Sequence, residues 1–210
     1  MLALCFGALG GLVLAFIASR LIEKINLGST RSDRVLSLVG CVGGSMIAFL
    51  ILRRFDTIAL RFGYAVLCAG LLIQSMVDFY THRLVRQITH GTAIVGVATL
   101  GFASVRDDTV NSLFVAAVCA VAGVVLALIT TVMSRNSLGA GDVRLTLVLG
   151  WFSRYVGYDS AVLTLFFSSV FAAMFGLILV VFRHATWRHQ IAFGPFLTLG
   201  ALFVIFAGEN

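Results

Sequence analysis

An all-α, polytopic integral membrane bundle of about eight spans, one of them short, is the fold class this sequence predicts, and three observations predict it. Hydrophobic residues fill 60% of the 210 positions and charged residues only 11%, where soluble domains carry roughly a quarter charged. Mean hydropathy is +1.05. The apolar residues come in continuous runs broken by short polar punctuation, without the in–out alternation of barrel strands. Such a chain lacks the polar surface to face water on every side. At about 20 apolar residues per crossing it holds several spans and leaves no room for a soluble domain besides. Residues 1–210 therefore read as one transmembrane domain.

The first run, Leu2 to Ser19, has the length of a signal peptide but no basic residues ahead of it. Arg20 and Lys24 follow it instead, so it reads as a first membrane helix. The second covers Val35 to Leu52 and stops at Arg53 and Arg54; the third covers Phe62 to Val77 and stops at Asp78. Thr89 to Val105 and Asn111 to Met133 form the fourth and fifth. The sixth, Val143 to Phe152, is too short to cross unless it continues through Tyr155. It is expected as a half-helix or a tilted, protein-buried segment, which is tolerated where it lines a cavity. Ser160 to Phe182 is the seventh; Ile191 to Phe206, with the chain's single proline, is the eighth.

The formal charge of +6 belongs to interfacial loops in such a chain, and nucleic acid is not expected as a partner. Lys and Arg positions set the orientation. With the N-terminus outside, ten of the 15 basic residues, among them Arg20, Lys24, Arg83, Arg86 and Arg144, face the cytoplasm. Arg53, Arg54, Arg61, Arg106 and Arg154 face out. The segments bounded by Asp78 and Asp142 then meet on the cytoplasmic side. Cys5, Cys41, Cys68 and Cys119 lie far apart in apolar runs, a spacing that suits packing and neither a disulfide framework nor a metal site.

Most acidic residues sit in polar clusters, but Asp78 and Asp142 adjoin apolar runs. A carboxylate at the membrane edge is costly to desolvate, so it marks a functional site and calls for a partner. Taken singly, Asp78 could equally be a helix-end cap or an exposed boundary charge; that reading fits Asp142 less well. Gly139 and Gly141 precede Asp142; glycines there let a substrate backbone approach closely. Asp142 at a helix start is also favoured by the helix dipole. Two carboxylates in one pocket cannot both ionise easily and share a proton. One can then activate water while the other polarises a carbonyl. His82, His90, His184 and His189 read as interfacial loop residues, no metal-ligand spacing is present, and no cofactor is called for.

Three segments occur in order. They are Asp78 with Phe79-Tyr80-Thr81-His82-Arg83-Leu84-Val85, then Leu138-Gly139-Ala140-Gly141-Asp142-Val143-Arg144-Leu145, and then Ile191-Ala192-Phe193-Gly194-Pro195-Phe196-Leu197. Together they resemble the type IV prepilin peptidases (prepilin leader peptidases) through nearly the whole chain. Val85 stands where that family usually has proline, Arg144 replaces a lysine, and Ala192 replaces a proline. Many members also carry, after the first helix, a cytoplasmic domain with paired C-x-x-C zinc ligands associated with N-methylation. Here a short basic loop lies between Arg20 and Val35, the short form of the family.

The resemblance implies an aspartyl endopeptidase in the inner membrane of a prokaryote. It would remove short basic leaders from prepilins or pseudopilins at the cytoplasmic face, just before the substrate's hydrophobic helix. Its partners would be those substrates and the lipid bilayer. Asp78 and Asp142 would be the catalytic dyad, with Gly139 and Gly141 shaping the active-site loop. Arg83 and Arg144 are expected as interfacial anchors within reach of a substrate carboxylate. Gly194 and Pro195 are expected to kink or terminate a helix near the site. A small proton- or cation-coupled transporter using both aspartates as relays is the alternative, as is a scaffold with lost activity. Presenilin-like proteases share the G-x-G-D pattern but carry Tyr-Asp where Val77 precedes Asp78 here.

Overall fold

The computed structural model of the chain describes residues 2–26, 33–81, 85–106, 110–133, 140–152, 156, 160–182 and 193–207. They form eight helices: α1 (Leu2–Asn26), α2 (Asp33–Arg54), α3 (Ile58–Thr81), α4 (Arg86–Arg106), α5 (Val110–Met133), α6 (Ala140–Phe152), α7 (Ser160–Val181) and α8 (Gly194–Ala207). Each expected run becomes one helix, and the differences lie at the ends. α1 continues past its apolar part through Arg20 and Glu23, which pair across 3.4 Å on an exposed face, the i,i+3 spacing that supports a helix in water. α3 runs through Asp78 to Thr81, so that carboxylate belongs to the last turn of the helix and does not lie beyond its end. Thr81 Oγ1 donates to Val77 O at 2.8 Å and closes that turn.

α6 is short, as expected, at 13 residues; its expected continuation through Tyr155 lies outside the described residues. α8 begins at Gly194, and Ile191 and Ala192 also lie outside the described residues. The Gly194–Pro195 pair therefore opens a helix, which corrects the expectation that it kinks or terminates one. Proline's fixed φ and missing N–H suit the first turn, where that N–H would have no intrahelical partner.

Residues 35–54, 58–81 and 162–179 are long and apolar enough to cross a membrane by length and composition, and 113–129 and 194–207 are shorter apolar helices. Large apolar side chains such as Leu38, Phe114 and Val132 are exposed, on a scale that soluble monomers avoid. The architecture is a polytopic membrane helical bundle.

α3 is its axis. Half of α3's apolar window is buried, against 22% for α2 and 17% for α7, so the latter two sit at the periphery. On one side of α3, Tyr64, Leu67, Leu71 and Leu72 pack with Leu145, Val148 and Leu149 of α6 and with Leu197 and Ala201 of α8. On the other side, Ile73, Met76 and Val77 pack with Ala15, Ala18 and Ile22 of α1 and with Leu36 of α2. α1 and α2 cross backbone to backbone at Gly7, Gly11, Gly40 and Gly44. A Cβ at Gly7 would meet Gly44 O at 2.7 Å, and a Cβ at Gly11 would overlap Gly40 O.

Candidate active site

Asp78 and Asp142 are both buried, 6% and 7% exposed, and both lie at the same end of the bundle. Tyr64, near the start of α3, donates its hydroxyl to Phe152 O, at the end of α6, across 2.6 Å. That bond pins the two helices together at one end and satisfies a carbonyl left over at the α6 C-terminus. Asp78 follows Tyr64 along α3 by about 21 Å, and Asp142 precedes Phe152 along α6 by about 15 Å. The antiparallel pair thus carries both carboxylates away from the Tyr64–Phe152 link.

Each carboxylate also meets a helix N-terminus. Asp142 sits in the first turn of α6, and the buried Thr146 hydroxyl donates to Asp142 O at 2.9 Å one turn on. Asp78 receives the N-terminus of α8: Gly194 N–H donates to its Oδ2 at 2.9 Å in a buried, charge-assisted bond. A helix N-terminus carries the equivalent of about half a positive charge, so each buried carboxylate faces a partial positive charge. Only glycine permits this contact. A Cβ on residue 194 would lie 2.6 Å from Asp78 Oδ2 and 3.0 Å from its Cγ.

The other expected site residues divide. Gly141, second in α6, is half-buried beside Asp142, while Arg144 is exposed and, two residues on, occupies the opposite side of the helix from Asp142. Pro195 is half-buried in the first turn of α8. Gly139 and Arg83 lie outside the described residues.

One residue escaped the sequence reading. Gln74, one turn before Asp78 on the same face of α3, is 1% exposed. Its Oε1 accepts from Thr89 Oγ1 at 3.3 Å, and its Nε2 has no partner among the described residues. Exchanging the amide O and N leaves one atom orphaned all the same. The signal was available: a lone amide inside the run Leu71 to Val77.

Residues 65–177, more than half of the chain, match the model of the type IV leader peptidase family. The chain belongs to that family. No curated protein and no solved structure gives a significant match. As a leader peptidase it is an aspartic endopeptidase and a multi-pass membrane protein of a prokaryotic family. The stretch matched to the leader peptidases contains Asp78, Gly141 and Asp142 and ends within α7, so the Gly194 contact to Asp78 is supplied from outside it.

Proposed function

We propose that this leader peptidase removes short basic leaders from type IV prepilins or pseudopilins. The cut falls at the cytoplasmic face, just before the substrate's apolar helix, and Asp78 and Asp142 are the catalytic pair of a single domain over residues 1–210. The observation that carries the reading is that both carboxylates are more than nine-tenths buried and each is set against a helix N-terminus. Two full charges in an apolar bundle would cost several kcal/mol each; one proton held between them removes half of that burden.

The chemistry follows. The ionised carboxylate takes a proton from a water as its oxygen bonds to the scissile carbonyl carbon, while the protonated carboxyl donates to the carbonyl oxygen. Collapse of the tetrahedral intermediate breaks the C–N bond. The proton taken from water passes to the leaving amine, which becomes the new N-terminus, and the leader departs as a carboxylic acid. Gly194 N–H fixes the Asp78 carboxylate, and the positive ends of α6 and α8 hold the pair's remaining charge. Gly141 leaves room for the substrate backbone beside Asp142, and Arg144 serves as an interfacial anchor.

The test is leader removal from a purified prepilin, read as a new N-terminus by mass spectrometry. Asp78→Asn and Asp142→Asn are each expected to abolish cleavage with expression and thermal melting preserved, since each swap removes a charge at nearly constant volume. Asp56→Asn, at an exposed position between α2 and α3, is the matched control and should cleave normally. Cleavage at the wild-type rate by either dyad variant would overturn the assignment; altered ion flux without any proteolysis would favour the relay reading.

A further inference from the structure

A wide apolar groove opens between α2 and α8, floored by Leu72 and Ser75 of α3, with a volume of about 970 Å³. Its lining runs from Leu38 to Leu50 along α2 and from Pro195 to Ala207 along α8, a length of about 18 Å on each. Val42, Met46, Leu199 and Phe203 line it and stand 67%, 62%, 52% and 45% exposed. No described segment of the chain covers them.

One end of the groove reaches the site. Ser75 lies three residues before Asp78 on α3, and Pro195 directly follows Gly194, whose N–H holds the Asp78 carboxylate. Part-way along it the lining includes two small residues, Gly43 on α2 and Ser75 on α3. Small residues let a helix backbone approach closely within a membrane. We infer that this groove is the docking site for the apolar helix of the substrate, whose first three turns lie between α2 and α8 with the scissile bond delivered to Asp78.

The inference rests on the leader-peptidase reading and deepens it. A substrate cut just before an apolar helix must place the end of that helix at a buried carboxylate while keeping its apolar side chains out of water. A groove about three turns long, mostly apolar and with Ser75 and Pro195 at its Asp78 end, meets both demands. A lipid acyl chain matches the same lining chemistry but has no reason to end at the Gly194–Asp78 contact.

The experiment uses the full chain in bilayer vesicles and, as probe, the N-terminal segment of a prepilin: its basic leader and the apolar helix of about 20 residues that follows. A photo-crosslinking amino acid at Val42 or Leu199, in the Asp142→Asn background, should form adducts with the probe's apolar helix. The same group at Phe114, exposed on α5, should not. Adducts with phospholipid alone, or equal capture from Phe114, would overturn the inference. In the chain with its dyad intact, Val42→Trp and Leu199→Trp fill the groove from exposed positions and should raise KM for the probe roughly tenfold with kcat nearly unchanged. An unchanged KM in both would overturn it as well. Crosslinking reads binding alone, so the groove is tested even if Asp78→Asn still cleaves, and the two readings can fail separately.

Discussion

Gly194 shows how one missing methyl group ties a helix to a carboxylate. Its N–H reaches Asp78 Oδ2 at 2.9 Å only because there is no Cβ, which would lie 2.6 Å from the same oxygen. Gly194→Ala must push the Asp78 side chain or the start of α8 aside. The variant is expected to fold, with a melting temperature close to wild type, and to lose at least about tenfold in kcat, equivalent to about 1.4 kcal/mol. Pro195→Ala leaves the N–H contact intact and should stay within about twofold, because most good helix formers are tolerated in a first turn. Steady-state cleavage kinetics beside thermal melts check both. Equal losses in the two variants would mean that the contact matters only for the entry of α8. Asp78 and Asp142 could be singled out from sequence because acids next to apolar runs are rare in this chain. The role of Gly194 could not, since its partner lies 116 residues away.

Between elements, the α1–α2 crossing is the tightest interface. Gly7 and Gly11 on α1 face Gly40 and Gly44 on α2, two runs of small-x-x-x-small spacing, the pattern that lets membrane helices approach at the backbone. The pattern stood in the sequence on both helices, but only the structure shows that the two faces pair with each other. Gly11→Val and Gly40→Val should each destabilise the bundle by about 1–3 kcal/mol, the usual cost of overpacking. Gly10→Ala, where a Cβ would meet nothing within 4 Å, should be neutral. Unfolding in mixed micelles measures the difference, and a neutral Gly40→Val would show that the helices separate at no cost. Tyr64→Phe, which removes the donor to Phe152 O, should cost about 1–3 kcal/mol by leaving a buried carbonyl unpaired. The Phe152 end of α6 would then be less firmly held against α3.

At the scale of the whole molecule, the two carboxylates lie at the end of the bundle opposite Asp56, since α3 starts at Ile58 and reaches Asp78 in its last turn. Single cysteines introduced at Glu23, Arg86 and Arg144 should therefore be labelled from one side of the membrane and a cysteine at Asp56 from the other. From the Lys/Arg bias, the first side is expected to be the cytoplasmic one. Labelling of the positions at Arg86 and Arg144 from opposite sides would separate the aspartates and end the shared-water mechanism. α1 and α2 leave only residues 27–32 between them, too short for an independently folded domain and without cysteine. Purified protein given S-adenosylmethionine and a prepilin should accordingly release the leader and leave the new N-terminus unmethylated, as mass spectrometry would read. A methylated product would place a second activity within the bundle itself.

Composition and hydropathy determined by themselves that the chain is a helical membrane bundle, because a span must satisfy its backbone internally and bury an apolar surface in lipid, both of which are written locally in each run. The number of helices, the shortness of α6 and the two isolated acids followed from the same local signals. Helix ends followed the local signals less closely: α3 outlasts its apolar run by four residues, and α8 begins at Gly194. Ends depend on what side chains such as Tyr80 and Asp78 meet from other helices. The tertiary structure alone decided that the start of α8 caps Asp78, that Gln74 is buried one turn away with an amide atom unpaired among the described residues, and that α2 and α8 stand apart around a groove lined by Ser75 and Pro195. Each of these is a relation between segments distant in sequence, fixed by packing around α3, and no periodicity within a single run encodes it.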